Sequence, residues 1–79
     1  MANTDTPTLK GKNIPAGVTV DLGGELGYDM FGNGLYVGEC EVEEALGLGG
    51  TNWINLTVLV EGDEYTVPVW SERDYRLIG

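Results

Sequence analysis

Residues 53–70 carry the pattern that most constrains the fold of this chain. Apolar side chains occupy alternate positions before and after a short polar turn. They are Ile54, Leu56, Val58 and Val60 before the turn, and Tyr65, Val67 and Val69 after it. A period of two places such side chains on one face of a strand. The pair Gly62-Asp63 stands where a tight hairpin needs residues with positive φ. The segment therefore predicts a β-hairpin with one buried face.

Two earlier segments also show strand patterns. Residues 15–22 place Val18, Val20 and Leu22 on one face, which predicts the first strand. Residues 35–46 alternate again, with four side chains assigned to the buried face: Tyr36, Cys40, Val42 and Leu46. The other face of this strand carries Glu39, Glu41 and Glu43, and Gly38 indicates a bulge or a sharp bend. A helical turn near residues 43–46 is the alternative, because Glu, Ala and Leu favour helices and Gly47 is suited to a helix cap.

The remaining segments predict loops and a last short strand. Residues 1–13 are polar and are expected to form a flexible tail, which leaves residues 14–79 as a single small domain. Residues 23–34 are rich in glycine and predict a loop of 12 residues, which is long for so small a domain. After Trp70, a polar turn over residues 71–75 leads into a brief strand that contains Leu77 and Ile78.

This layout resembles the SH3-like fold over residues 15–78. The glycine-rich segment 23–34 stands in the place of the long first loop of that fold, and residues 71–75 stand in the place of its short 3₁₀ turn. The resemblance implies an all-β architecture, a small five-stranded antiparallel SH3-like barrel with a flexible N-terminal tail. An OB-like barrel is the alternative. The residues that eukaryotic SH3 domains use to bind proline-rich ligands are not recognisable, so that function does not carry over.

The charge of the chain favours a basic protein as its partner. Thirteen Asp and Glu residues against four Lys and Arg residues give a formal net charge of -9. Such a charge disfavours direct binding to nucleic-acid phosphates and to anionic membranes. It suits electrostatic steering of a partner with a basic surface. The same composition also suits a protein from a high-salt environment.

No residue pattern in the chain indicates catalysis or a cofactor. Cys40 is the only cysteine and no histidine is present, so a nucleophile would lack its usual base. Asp29, Asn33 and Gly34 partly resemble a calcium loop, but Phe31 and Cys40 replace required oxygen ligands, so we expect an ordinary turn and no metal. The first five residues lack the features of a secretory signal, and a solitary thiol suits a reducing compartment. We expect a non-enzymatic cytoplasmic protein without cofactors.

The aromatic residues complete the predicted binding surface. Trp53 and Trp70 fall on the hairpin face opposite the core, and tryptophan is a frequent anchor of protein interfaces. The predicted partner-binding residues are Tyr28, Phe31, Glu39, Glu41, Glu43, Trp53, Trp70 and Tyr75. The sequence therefore favours a protein-interaction module that acts as an accessory or regulatory subunit. A viral or phage structural protein and an acidic nucleic-acid mimic are the alternatives, and self-association into a homo-oligomer is left open.

Overall fold

The hairpin predicted from residues 53–70 is present in the computed structural model, which describes residues 7–78. These residues form six strands in one antiparallel sheet, with a short 3₁₀ helix after the first strand. The elements are β1 (Thr8–Lys10), the 3₁₀ helix (Gly11–Asn13), β2 (Thr19–Tyr28), β3 (Gly34–Gly47), β4 (Trp53–Val60), β5 (Asp63–Trp70) and β6 (Asp74–Leu77). The strand order is β1-β6-β2-β3-β4-β5, and a further pairing of Tyr28 with Thr66 joins β2 to β5. The predicted all-β class is confirmed.

The core is built from the inward faces of the strands. Its buried apolar side chains are Ile14, Val20, Leu22, Val37, Cys40, Val42, Leu56, Val58, Val67, Val69 and Tyr75. The hairpin contributes Leu56, Val58, Val67 and Val69, all on the face that the alternation predicts to be buried. Burying one such side chain contributes roughly 1.5–3 kcal/mol. The alternation of apolar residues in this hairpin therefore identifies its core residues correctly.

The turn of the β4–β5 hairpin lies one residue earlier than predicted. Val60 pairs with Asp63, so the two central residues are Glu61 and Gly62. Their φ angles are 52° and 86°. Positive φ at both central positions defines a type I′ turn, whose twist matches that of the flanking strands.

Segment 35–46 is a strand, as predicted, but its buried face differs from the prediction. Tyr36 and Leu46 are exposed, while Val37 is buried. The register of β2 against β3 shifts opposite Gly38, but the extra residues lie on β2 and not at Gly38, where the sequence predicted a bulge or bend. A second irregularity, at Glu43, shifts the register of β3 against β4. Each irregularity interrupts the simple alternation along the strand.

Strand β2 begins later and ends later than predicted. Three residues of β2, between Asp21 and Glu25, lie opposite a single residue of β3, Gly38. Gly23 and Gly24 adopt positive φ angles of 69° and 94° there, which lets the strand bulge and then continue. The expected 12-residue loop is therefore wrong, and the connection to β3 is confined to residues 29–33.

A flexible tail was predicted over residues 1–13, and the structure corrects that prediction for residues 8–13. Thr8–Lys10 form β1, which pairs with β6, and residues 11–13 form the 3₁₀ helix. Three mostly polar residues are too few to show an alternation, so β1 left no pattern in the sequence. The sheet accordingly has six strands and not five. Residues 1–6 lie outside the described residues.

Candidate functional site

All four basic side chains of the chain are held in ion pairs around β1, β6 and the turn before β6. The pairs are Lys10 with Asp74 at 3.7 Å, Lys12 with Glu72 at 2.8 Å, Arg73 with Glu25 at 3.1 Å, and Arg76 with Asp21 at 3.0 Å. The hydrogen bond and the charge of Lys12 lower the pKa of the Glu72 carboxyl. Among residues 7–78, the carboxylates on the second half of β3 and around the β4–β5 turn have no cation within 4.0 Å. The positive charges therefore lie around β1 and β6, and the unbalanced negative charges lie on β3 and the β4–β5 turn.

The three glutamates predicted to form one stripe are separated by the shape of β3. Glu39 lies opposite Asp21 and 4.0 Å from the guanidinium of Arg76, so its charge is partly balanced. Glu41 lies opposite Leu59 on β4 and is exposed. Glu43 occupies the bulge, so Glu44 takes the next register position, opposite Thr57. The unbalanced carboxylates of this strand are those of residues 41, 43 and 44.

Trp53 and Trp70 form a direct cross-strand pair at one end of the β4–β5 hairpin. Their ring centroids lie 5.0 Å apart with an interplanar angle of 79°, which is an edge-to-face arrangement. The two residues are 42% and 36% exposed. Their backbone N–H groups donate to the hydroxyls of Thr51 and Tyr75 respectively. The pair is thus accessible to solvent and fixed in place.

The tryptophan pair and the unbalanced carboxylates share the outer face of one three-stranded surface. Residues opposite one another in register point to the same side of a sheet. The outer face therefore runs through Trp53–Trp70, Leu46–Asn55–Pro68, Glu44–Thr57–Thr66 and Glu41–Leu59–Glu64. Four residues of strand separate Trp53 from Thr57, which is roughly 13 Å at the usual rise per residue. We call these residues the outer surface of β3–β5.

Tyr28 and Phe31 lie apart from the tryptophan pair, Tyr28 opposite Thr66 in the middle of β5 and Phe31 beside the turn of the β4–β5 hairpin. Tyr28 is the last residue of β2 and is 45% exposed, while Phe31 stands in the following turn and is 82% exposed. Met30 is equally exposed, and Tyr36 is 73% exposed on the neighbouring strand. These two residues were not included in the binding surface predicted from the sequence, and the alternation of segment 35–46 places Tyr36 on the buried face. The exposed aromatic residues therefore form two separate groups instead of one.

Tyr75 does not belong to the surface, which corrects the prediction that it binds a partner. It is only 3% exposed and forms part of the core. Its hydroxyl accepts a hydrogen bond from the N–H of Trp70 at 3.1 Å and donates one to Oε2 of Glu25 at 3.0 Å. Burial, together with the neighbouring Glu25 carboxylate, raises the pKa of Tyr75 to about 12. The residue links three strands and is closed to ligands.

Asp29 forms an ordinary turn, as predicted. One of its carboxylate oxygens accepts the N–H groups of Phe31 and Asn33, each at 2.9 Å, and the other accepts the side-chain amide of Asn33 at 3.1 Å. These hydrogen bonds lower the pKa of the carboxyl. Within residues 7–78 no group of three potential metal-binding side chains comes together. The oxygen atoms of Asp29 are used to fix the loop.

Cys40 is a buried core residue. It is 4% exposed, and burial, with a smaller contribution from the charge of Asp21, raises the pKa of its thiol to about 11. The thiolate is the nucleophilic form of cysteine, so the side chain stays in its unreactive form at neutral pH. The accessible chemistry of the surface is consequently that of carboxylates and aromatic rings.

No helix among the described residues has the length and apolar character needed to cross a membrane. No family model, curated protein or solved structure matches the chain. The proposals that follow therefore depend on the geometry and charge of residues 7–78.

Proposed function

We propose that this protein is a non-enzymatic interaction module that binds another protein through the outer surface of β3–β5. The observation that carries the proposal is the exposed pair of Trp53 and Trp70. Large aromatic rings held in one orientation lose little conformational entropy on binding, which makes them effective anchors. Their backbone hydrogen bonds to two hydroxyl groups supply that fixed orientation.

The charge of the same surface defines the chemistry of the partner. Glu41 and Glu44 lie on it without a cation within 4.0 Å among the described residues. The outer surface of β3–β5 has the tryptophan pair at one end and carboxylates beside it. A partner whose interface has an apolar centre surrounded by Lys and Arg would complement this surface. We therefore propose a basic protein as the partner, with this chain as its accessory or regulatory subunit. A cytoplasmic location is part of the proposal, supported by the buried reduced thiol of Cys40.

We further propose that the sheet closes as a small SH3-like barrel of five strands, β2 to β6, to which β1 is added. The support for closure is the pairing of Tyr28 with Thr66, because it joins β2 directly to β5, although β3 and β4 separate these two strands in the order of the sheet. Strand β2 then pairs with β6 in its first half and with β5 at its last residue. A strand that pairs with different neighbours along its length is what closure of so small a sheet requires.

The test is affinity capture from source-cell lysate with three forms of the protein: wild type, Trp53→Ala and Tyr36→Ala. The last is the matched control, because it removes an exposed aromatic ring away from the outer surface of β3–β5. A basic protein should be retained at low salt by the wild type and by Y36A but not by W53A, and high salt should release it. A buried anchor of this kind commonly contributes 2 kcal/mol or more, so W53A should weaken the purified complex about 30-fold in calorimetry.

Other outcomes of the capture would overturn the proposal. Retention that is unaffected by W53A would show that the tryptophans are not the anchor. Recovery of the protein only with itself, as an oligomer of fixed size, would favour a structural assembly role. Recovery of a nuclease or a DNA-binding protein through the carboxylates alone would favour a nucleic-acid mimic.

A further inference from the structure

A second feature, beside the turn of the β4–β5 hairpin, is the tip of the β2–β3 hairpin. Met30 and Phe31 are each 82% exposed there. The tip is nonetheless well ordered by hydrogen bonds, because the Asp29 carboxylate accepts three of them and the backbone of Asp29 is bonded to Asn33 and Gly32. Two large apolar side chains are thus presented to solvent on a fixed loop. A fixed loop binds with less loss of entropy than a mobile one.

A cleft of about 230 Å³ separates this tip from the turn of the β4–β5 hairpin. It is lined by Asp29, Met30, Phe31, Asp63, Glu64 and Tyr65. The thioether and the two aromatic rings make its lining largely apolar, and Asp63 and Glu64 add two carboxylates, which we call its rim. The carboxylate of Asp29 is engaged in the hydrogen bonds of its own loop. All four basic side chains of the chain are paired elsewhere, so none of them neutralises this rim.

We propose that this cleft binds the side chain of an arginine or lysine from a protein partner. An apolar cleft of one side-chain volume with an anionic rim is complementary to an aliphatic stem that ends in a cation. The guanidinium of arginine also stacks on aromatic faces such as those of Phe31 and Tyr65, so arginine is the better ligand. A second copy of this chain is a poor occupant, because it carries the same net charge of -9 and its own cations are already paired.

This inference adds a binding site to the proposed function. The two sites share the basic character of the partner and one residue, Glu64, which lies at the edge of the outer surface of β3–β5 and also lines the cleft. Residues 65–70 of β5 separate the cleft from the tryptophan pair, which is roughly 16 Å at the usual rise. The two sites therefore fail or succeed separately. Loss of Trp53 should leave the cleft intact, and loss of Phe31 should leave the tryptophan pair intact.

The test is a titration of the ¹⁵N-labelled protein with the blocked peptide acetyl-Gly-Arg-Gly-amide, followed by NMR. The control peptide carries citrulline instead of arginine, which keeps the shape and removes the charge. We expect saturable shifts of the amides of residues 30–31 and 63–65 with the arginine peptide, with a Kd on the order of millimolar. The citrulline peptide should produce only small shifts.

Paired variants locate the binding. D63N/E64Q should weaken binding about fivefold, since two exposed charge pairs together contribute about 1 kcal/mol. E43Q/E44Q removes the same number of negative charges from β3, away from the cleft, and should leave the Kd nearly unchanged. Phe31→Ala should also weaken binding, while Tyr36→Ala should not.

Three results would overturn the proposal. The first is equal response to arginine and citrulline. The second is shifts that spread over the whole acidic surface and respond equally to both double variants. The third is a change in the amide shifts of residues 30–31 that occurs without peptide and grows with protein concentration. Such a change would identify a second copy of the chain as the occupant.

Discussion

At the scale of single residues, Tyr75 shows how one hydroxyl joins distant parts of the chain. It accepts from the N–H of Trp70 and donates to Glu25, whose other carboxylate oxygen accepts from Arg73. These contacts connect β2, the end of β5 and the turn before β6. A residue predicted to contact a partner therefore supports the candidate surface from inside, by holding the backbone of Trp70.

Tyr75→Phe tests the role of this hydroxyl in stability. The substitution leaves the ring in the core but deprives the Trp70 N–H and the Glu25 carboxylate of a hydrogen-bonding partner. We expect a loss of about 1–2 kcal/mol in the free energy of unfolding, measured with urea. Tyr36→Phe, at an exposed ring, should change it by less than about 0.5 kcal/mol. Equal effects of the two substitutions would contradict the role assigned to the hydroxyl.

The same variant also tests the pH dependence of stability. The pKa of Tyr75 is raised from the ordinary value of 10.0 to about 12, so the folded state favours the protonated phenol. Its contribution to stability is therefore complete below pH 10 and is lost as the pH rises toward 12. Cys40 contributes in an overlapping range in both proteins, so the difference between wild type and Y75F isolates the tyrosine. The wild type should lose stability more steeply over this range than Y75F.

At the scale of elements, the β4–β5 hairpin combines a strong strand pattern with an unfavourable turn residue. Glu61 has a φ of 52°, in the left-handed region that glycine and asparagine adopt more readily than glutamate. The neighbouring Gly62 has no such penalty. The hairpin therefore keeps its register through the core contacts of its strands and in spite of its turn.

We expect Glu61→Asn to stabilise the protein. Asparagine is favoured at the first central position of a type I′ turn, and we expect a gain of about 0.5–1 kcal/mol in chemical unfolding. Glu61→Gln is the matched control, because it removes the same charge without favouring positive φ. If the two variants were equally stabilised, the gain would come from charge and not from the turn.

At the scale of the whole molecule, the close approach of β2 to β5 brings distant parts of the sheet together. Gly27 lies at this crossing and is buried. An added Cβ at this residue would lie 2.6 Å from Cγ2 of Val67 and 3.3 Å from the carbonyl oxygen of Thr66. Val67 is itself fully buried and branched at Cβ, so it has little freedom to move. The approach depends on the absence of a side chain at residue 27.

We expect Gly27→Ala to destabilise the protein. Overpacking a core of this kind typically costs about 1–3 kcal/mol, so the melting temperature should fall by several degrees. Gly49→Ala is the matched control, since no atom lies within 4 Å of an added Cβ there. A neutral effect of G27A would mean that β2 and β5 are not in close contact in solution.

The fold was predictable where one face of a strand faces the core throughout. Val58 and Val67 fall in a regular alternation, and their burial follows from it. Tyr36 and Leu46 were misassigned because register shifts at Gly38 and Glu43 change which side chains face inward. A shift of this kind depends on the partner strand, so the pattern of a single strand does not contain it.

For the candidate site, the sequence alone determined the chemistry: an excess of carboxylates, two tryptophans and no histidine. Only the tertiary structure decided where these groups lie. Every basic side chain is paired with an acid, and Tyr75 is buried. Trp53 and Phe31 lie near opposite ends of the β4–β5 hairpin. The physical reason is that composition and alternation are properties of neighbouring residues. Ion pairs such as Arg73–Glu25 and strand pairings such as Tyr28–Thr66 join residues far apart in the chain, and only the folded backbone brings them together.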